Sequence, residues 1–348
     1  MLTAVVGINW GDEGKGRMVD LLSADYDIVC RYQGGNNAGH TVINDYGKIV
    51  LNLLPSGISR EGTVNVMGNG MVIDLEHLVH EIQSLREKGI HIGSDNLKIS
   101  DKAVICLPWH KMQDIMEEDR LKDKKFGSTR RGIGPVYADK YMKKAIRMGD
   151  LFAPDKLPEK VADLTEWKNL TVRGYGHEPV KAEDILAWLH EFGDPIKPYI
   201  TDVSDYLYDA ATAGENIMFE AQLGALRDIE FGIYPYTSSS CTLAGYATIG
   251  AGIPGLKLDK TIGIMKAYSS CVGEGPFTVE MFGDEAEALR RAGGEYGAAT
   301  GRPRRVGAFD IPASRYGVRM HGADCIALTK MDVLSYMEKI PVCVAYDI

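Results

Sequence analysis

The stretch GINWGDEGKG, residues 7–16, follows directly on the apolar run Leu2–Val6, and its reading decides the fold. A buried strand opens into glycines, and a helical pattern begins at Arg17-Met18-Val19-Asp20. Such a strand–loop–helix turn suits phosphate, because a helix N-terminus favours anions. Gly11, Gly14 and Gly16 let the backbone approach a ligand closely, and Lys15 is placed to reach terminal phosphates. The stretch is not a Walker A motif, which would need a glycine where Asn9 stands and a hydroxyl where Gly16 stands. It also carries two carboxylates, Asp12 and Glu13, where anions should bind. Asp12 can replace the missing hydroxyl as a magnesium ligand, since hard cations prefer oxygen, or it can act as a base. An ordinary glycine-rich turn with a solvated lysine accounts for the same letters without chemistry.

Outward from this loop, short runs rich in Val and Ile recur at Leu2–Val6, Asp27–Cys30, Ile49–Leu54, Val64–Met67, Ala103–Leu107, Ile217–Phe219, Ile262–Met265, Cys325–Leu328 and Val342–Ala345. Continuous apolar runs suit the buried strands of a largely parallel sheet. Helical patterns lie between them. The clearest is 74–88, with Leu75, Leu78, Val79, Ile82 and Leu85 on one face, Asp74 as N-cap and Gly89 as stop; 181–192 repeats the pattern. The expected fold class is α/β, with a large, mostly parallel central sheet, helices on both faces and glycine-rich loops at the carboxyl ends of strands. The chain reads as a single domain over 1–348, with a charged helical insertion at about 151–215.

Composition narrows the classes. The 348 residues are 45% hydrophobic and 25% charged, ordinary for a globular protein. The net charge of −9 argues against a broad nucleic-acid surface. The six cysteines (Cys30, Cys106, Cys241, Cys271, Cys325 and Cys343) form no C-x-x-C pair, which points to a reducing cytoplasm over a zinc site or a disulfide framework. Neither a signal peptide nor a membrane span is expected, and no membrane partner.

Four further segments concentrate polar chemistry. GGNNAGHT at 34–41 offers amides at Asn36 and Asn37 and an imidazole, His40, that can serve as an acid near neutral pH. GSTRRGIG at 127–134 sets hydroxyls and guanidiniums between glycines, and a solvated basic loop explains it equally well. GAATGRPRR at 297–305 brings Arg302, Arg304 and Arg305 into an acidic protein; arginine forks recognise carboxylate or phosphate, and a solvated loop again competes. TKMD at 329–332 ends a strand; its aspartate can accept from guanine's ring N–H and exocyclic amine while the lysine stem stacks on the base. Alone, that match is weak. His77 and His80 lie near the polar face of one helix with no third metal ligand in view. Tyr234, Tyr236 and the hydroxyls Thr237–Ser240 form a possible substrate wall.

Taken together, WGDEGKG (10–16), GGNNAGHT (34–41), GSTRRGIGP (127–135), YPYTSSS (234–240), KAYSSCVGEGPF (266–277), GAATGRPRR (297–305) and TKMD (329–332) resemble the adenylosuccinate synthetase family, over essentially the whole chain. The resemblance implies a sheet architecture related to phosphate-loop GTPases, GTP as co-substrate, Mg2+, and ligation of IMP and L-aspartate through a 6-phosphoryl-IMP intermediate. It implies Asp12 as base, His40 as acid, and Asp12 with the Gly39 carbonyl as metal ligands. Gly14, Lys15, Gly16, Gly39, His40, Thr41, Arg304, Lys330, Met331 and Asp332 would hold GTP. Asp12, Asn37, Ala38, Thr129, Lys143, Gln222, Ser238, Ala298, Ala299, Thr300 and Arg302 would hold IMP and aspartate. A cytoplasmic homodimer is implied, with residue 143 reaching across the interface.

The chain departs from the family pattern in three ways. Lys143 replaces an arginine and loses its bidentate geometry. Ala221-Gln222-Leu223-Gly224 moves the usual glutamine one place. The chain ends at Ile348, so the family's usual C-terminal segment is expected to be missing. The alternatives are a phage-type relative that joins aspartate to dGMP, with ATP or GTP, and an inactive nucleotide-binding member. Such phage relatives tend to carry a smaller residue at the position of Asp12, so its presence favours IMP.

Overall fold

The computed structural model describes residues 1–296 and 303–347. Its centre is an eight-stranded sheet built from β1 (Leu2–Gly7), β2 (Ile28–Arg31), β3 (Val64–Met67), β4 (Leu97–Ser100), β5 (Ile200–Thr201), β6 (Ile217–Glu220), β7 (Lys260–Lys266) and β8 (Cys325–Thr329). The spatial order is β8-β7-β1-β6-β2-β3-β4-β5, and every neighbouring pair is parallel. In β1, Ala4 and Val6 join one hydrophobic cluster and Val5 joins another on the opposite face. Burial on both faces is why the strand is a continuous apolar run with no polar alternation. Helix α1 (Lys15–Leu22) covers one face through Met18, Val19 and Leu22. The helices Val203–Thr212 and Ala247–Ala251 cover the other through Val203, Leu207 and Ala247.

The mostly parallel α/β fold expected from the sequence is present, and several strand assignments need correction. Ile49–Leu54 lies outside the sheet: Gly47–Leu51 pairs antiparallel with His40–Asn44 in a hairpin. Ala103–Leu107 contributes only Val104–Ile105, beside Val72–Ile73. Val342–Ala345 contributes only Val342–Cys343, beside Phe309–Asp310. Two sheet strands, β4 and β5, escaped the pattern. An apolar run reports burial and does not name a lateral partner. β8 is in the sheet but not interior: it is an edge, with Ile326 40% and Leu328 48% exposed.

The helix Leu75–Glu87 forms as read, with the Asp74 carboxylate accepting the His77 N–H at 3.3 Å and Gly89 at φ 85° beyond its end. Within 151–215, the helices Leu157–Gly174 and Ala182–Gly193 bury Leu157, Val161, Leu164, Ile185 and Leu189 in the same core as Ile73 and Leu75. The stretch then supplies sheet strand β5 and the helix Val203–Thr212.

Candidate active site

Parallel strands all end on the same side. β1, β2, β6, β7 and β8 therefore deliver the loops that follow them to one rim, at the point where strand order reverses about β1. The loop after β1 is sharply folded: Gly11 and Gly14 have φ 96°, and Asp12 itself is left-handed at φ 58°. A short polar side chain tolerates that conformation better than most. The two acids of the loop do different work. Glu13 turns inward, accepts the N–H groups of Asn9 (3.2 Å) and Gly11 (2.8 Å), and holds Lys15 Nζ at 2.7 Å. Asp12, about one-third exposed (32%), stays at the loop's surface. Lys15 is thus buried against Glu13, whereas the sequence suggested a cation extended from the loop.

His40 arrives from the segment after β2. A Cβ added at Gly16 would lie 2.6 Å from His40 Cβ, so glycine there lets the imidazole rest against the first turn of α1. His40 Nδ1 is 2.5 Å from Glu220 Oε1, and Glu220 also accepts from the Ser56 N–H (2.8 Å) and hydroxyl (2.5 Å). Burial lowers the His40 pKa, and Glu220 pulls partly the other way. Burial likewise pushes Glu220 up, but His40, Arg31 and Ser56 outweigh it and hold the carboxyl below its usual range. An ionised Glu220 can only accept, so the neutral ring carries its proton on Nδ1 and leaves Nε2 without one. Sequence reasoning missed Glu220. Its signal was a carboxylate closing a four-residue strand that is otherwise wholly apolar and buried.

A polar chain stitches three motifs together. Ser238 Oγ is 3.3 Å from Ser240 Oγ, Ser240 donates to Gln33 Oε1, Gln33 donates to the Gln222 carbonyl, and Gln222 Nε2 donates to the Gly35 carbonyl. The Oε1 of Gln222 and the Oδ1 of Asn36 are buried with no partner among the described residues, two acceptors left for a donor. Asn37 is half-buried and accepts the Gly35 N–H. The Ala38 carbonyl is held by Asn52 Nδ2 at 2.9 Å, while Gly39 beside it is exposed. The exposed Thr129 stands on a loop whose Phe126 ring meets Tyr236 at 6.2 Å.

Arg304 closes the opposite side. Its guanidinium reaches Asp12 Oδ2 (3.2 Å) and Glu295 Oε2 (2.9 Å). Burial works against the charge of Arg304, and Asp12 and Glu295 more than offset it, so its pKa lies above the ordinary value. Glu295 is 1% exposed and also takes Lys266 Nζ (2.7 Å) and the Tyr268 hydroxyl (2.5 Å); neither it nor Lys266 was singled out from sequence. At the end of β8, the Thr329 hydroxyl donates to the Glu13 carbonyl at 2.7 Å, which brings Lys330, Met331 and Asp332 beside the phosphate loop. Thr41 is half-buried in the hairpin. Lys143 is exposed, in a left-handed turn at φ 61°. Ala298, Ala299, Thr300 and Arg302 lie outside the described residues.

Among the described residues no group of three or more His, Cys, Asp or Glu is clustered to hold a metal. The Asp12 carboxylate and Gly39 carbonyl are hard oxygen donors, and two protein oxygens completed by phosphate oxygens and water suit Mg2+.

This arrangement sets a glycine-rich turn before a helix N-terminus, a partly exposed carboxylate at Asp12 and an oriented imidazole at His40 on one rim. The family model for adenylosuccinate synthetase matches residues 4–348. An adenylosuccinate synthetase of Caldanaerobacter subterraneus subsp. tengcongensis is 45% identical over 348 residues, spanning 100% of this chain and 81% of the relative. One from Lactococcus lactis subsp. lactis is 43% identical over 344 residues, spanning 99% and 80%. Among solved structures, a fully ligated adenylosuccinate synthetase from Plasmodium falciparum superposes with TM-score 0.88 at 38% identity, covering 97% of this chain and 78% of that one. A cyanophage S-2L succinoaminodeoxyadenylate synthetase, bound to dGMP and dATP, superposes with TM-score 0.65 at 20% identity, covering 94% and 83%, a likeness of fold alone.

Proposed function

Because the chain belongs to the adenylosuccinate synthetase family, we propose that Asp12 and His40 carry out its GTP-dependent joining of IMP and L-aspartate as base and acid. The observation that carries this is that both residues stand by the start of α1: Asp12 on the loop before it, and His40 packed against Gly16 with its ring held by Glu220. Asp12 takes the N1 proton of hypoxanthine. The electron pair moves to O6, which attacks the γ-phosphorus, and GDP leaves as that P–O bond breaks. His40 stabilises the transferred phosphate, which then departs from C6 as the aspartate amine forms the new C–N bond and loses a proton. Little covalent work falls on the protein; positioning and charge neutralisation dominate.

Mg2+, held by Asp12 and the Gly39 carbonyl, would neutralise charge on the phosphates. The N–H groups at Gly14, Lys15 and Gly16 and the hydroxyl of Thr41 hold the GTP phosphates. Arg304 exchanges Asp12 for an anion of the substrates. Lys330, Met331 and Asp332 hold guanine. Asn37, Ala38, Thr129, Gln222 and Ser238 hold IMP, with the orphaned Gln222 Oε1 receiving a donor. Ala298, Ala299, Thr300 and Arg302 meet aspartate. The exposed Lys143 reaches the IMP phosphate across a homodimer interface, and the enzyme works in the cytoplasm. No described helix is long and apolar enough to cross a membrane.

Phosphate release in the presence of aspartate, crossing IMP or dGMP with GTP or ATP, tests this reading. Release with IMP and GTP is expected. Release with dGMP in place of IMP would move the chain to the chemistry of the phage enzyme, and release in no combination would overturn the assignment of roles.

A further inference from the structure

The loop 126–132 carries Thr129, yet two acids lie beneath it. Helix Pro108–Leu121 presents Asp114 (9% exposed) and Glu118 (4% exposed) four residues apart, on one face. Asp114 Oδ1 accepts the Ser128 hydroxyl at 2.7 Å, and its Oδ2 accepts the Gly132 N–H at 2.9 Å. Glu118 Oε1 accepts the Phe126 N–H and its Oε2 the Gly127 N–H, both at 3.1 Å. All four carboxylate oxygens are thus spent on one seven-residue loop. The helix lies close beneath it: a Cβ on Gly132 would sit 2.7 Å from the His110 carbonyl carbon and the Lys111 nitrogen.

Two buried anions under a loop that receives an anionic nucleotide would repel it unless their charge were spent elsewhere. Here it is spent on N–H and O–H donors. One of those donors, Gly132, is the N-cap residue of the helix Ile133–Tyr141, so Asp114 ties the loop to the start of that helix.

We infer that Asp114 and Glu118 are positioning residues for IMP: they hold the loop 126–132 in the shape that presents Thr129. This rests on the reading that Thr129 holds IMP.

Glu118→Gln and Asp114→Asn each leave one loop donor facing an amide nitrogen. In each, KM for IMP rises roughly tenfold, while KM for GTP and aspartate and kcat stay within about twofold. Ser128→Ala, which removes the hydroxyl's bond to Asp114 and the one it accepts from the Arg130 N–H at an exposed position, gives the same split more weakly and covers the case in which a carboxylate variant fails to fold. An unchanged KM for IMP in all folded variants, or an equal rise in every KM, overturns the inference. Turnover of IMP by the unaltered protein is measured beside them. If that is absent, the functional reading fails and the inference falls with it; if it is present and the split is not, only the inference fails.

Discussion

At the scale of single residues, the site separates look-alike groups by their surroundings. Asp12 and Glu13 are neighbours, but Glu13 is buried and consumed by two N–H groups and Lys15, and Asp12 is the more exposed of the two. Asp12→Ala is expected to abolish measurable phosphate release, and His40→Ala to cut kcat by about 10²–10⁴-fold. Unchanged turnover in either variant, by the same assay, removes that residue from the mechanism. Glu220 makes a finer test. It raises the His40 pKa against the lowering effect of burial. Glu220→Gln removes that support, so the imidazolium becomes harder to form. If protonated His40 is the active form, the high-pH limb of kcat/KM moves to lower pH in the variant, and a limb that stays in place shows that Glu220 does not tune His40.

At the scale of elements, the close approach between α1 and the hairpin His40–Asn44/Gly47–Leu51 depends on the missing side chain at Gly16. A methyl there would meet His40 Cβ and Cγ at 2.6 and 3.1 Å and Ser56 Oγ at 3.1 Å, so one of the two elements must shift. Gly16→Ala is expected to cost about 1–3 kcal/mol by urea denaturation and to lower kcat by more than that loss of folded protein explains. A variant with wild-type kcat would show that His40 needs no such contact. Elements also explain the uneven legibility of the sequence. The helix Leu75–Glu87 announced itself by spacing, cap and stop, all of them local. The run Ile49–Leu54 looked like a sheet strand and is half a hairpin, because its partner His40–Asn44 was read as ligand chemistry and its pairing is not written in its own letters. The strand β5, two residues long, leaves no periodic signal at all.

At the scale of the whole molecule, His321 ties the last long helix to the start of the phosphate loop. Its Nε2 lies 2.9 Å from the Gly7 carbonyl, and its Nδ1 accepts the Ala244 N–H at 3.2 Å, so the neutral ring uses both nitrogens. Burial, the largest cause, lowers its pKa from 6.5 to about 4. The folded value lies below the unfolded one, so the unfolded chain binds the extra proton first. The stability this contributes is complete above pH 6.5 and is lost as pH falls toward 4, about 2 kcal/mol of it by pH 5. His40 and His110, also lowered chiefly by burial, act in the same direction. His321→Gln can keep a donor and an acceptor without a titrating ring. Its unfolding free energy should therefore fall less between pH 7 and pH 5 than that of the unaltered protein, and an equal fall would show that the acid sensitivity lies elsewhere.

The sequence by itself determined the class of fold, the family and most of the residues on the rim, because glycine-rich loops after apolar strands and cation- or amide-bearing motifs are local patterns with local physical causes. It could not reveal Glu220 beneath His40, Glu295 between Arg304 and Lys266, or Asp114 and Glu118 under the loop 126–132. Three of these four carboxylates sit inside ordinary strand or helix patterns, and Glu295 comes just after the glycine that caps a helix. Their roles come from what parallel strands and packed helices bring alongside them: Glu220 stands 180 residues from His40 and Glu295 29 from Lys266. A buried charge needs a partner, and only the tertiary structure decides which one it finds.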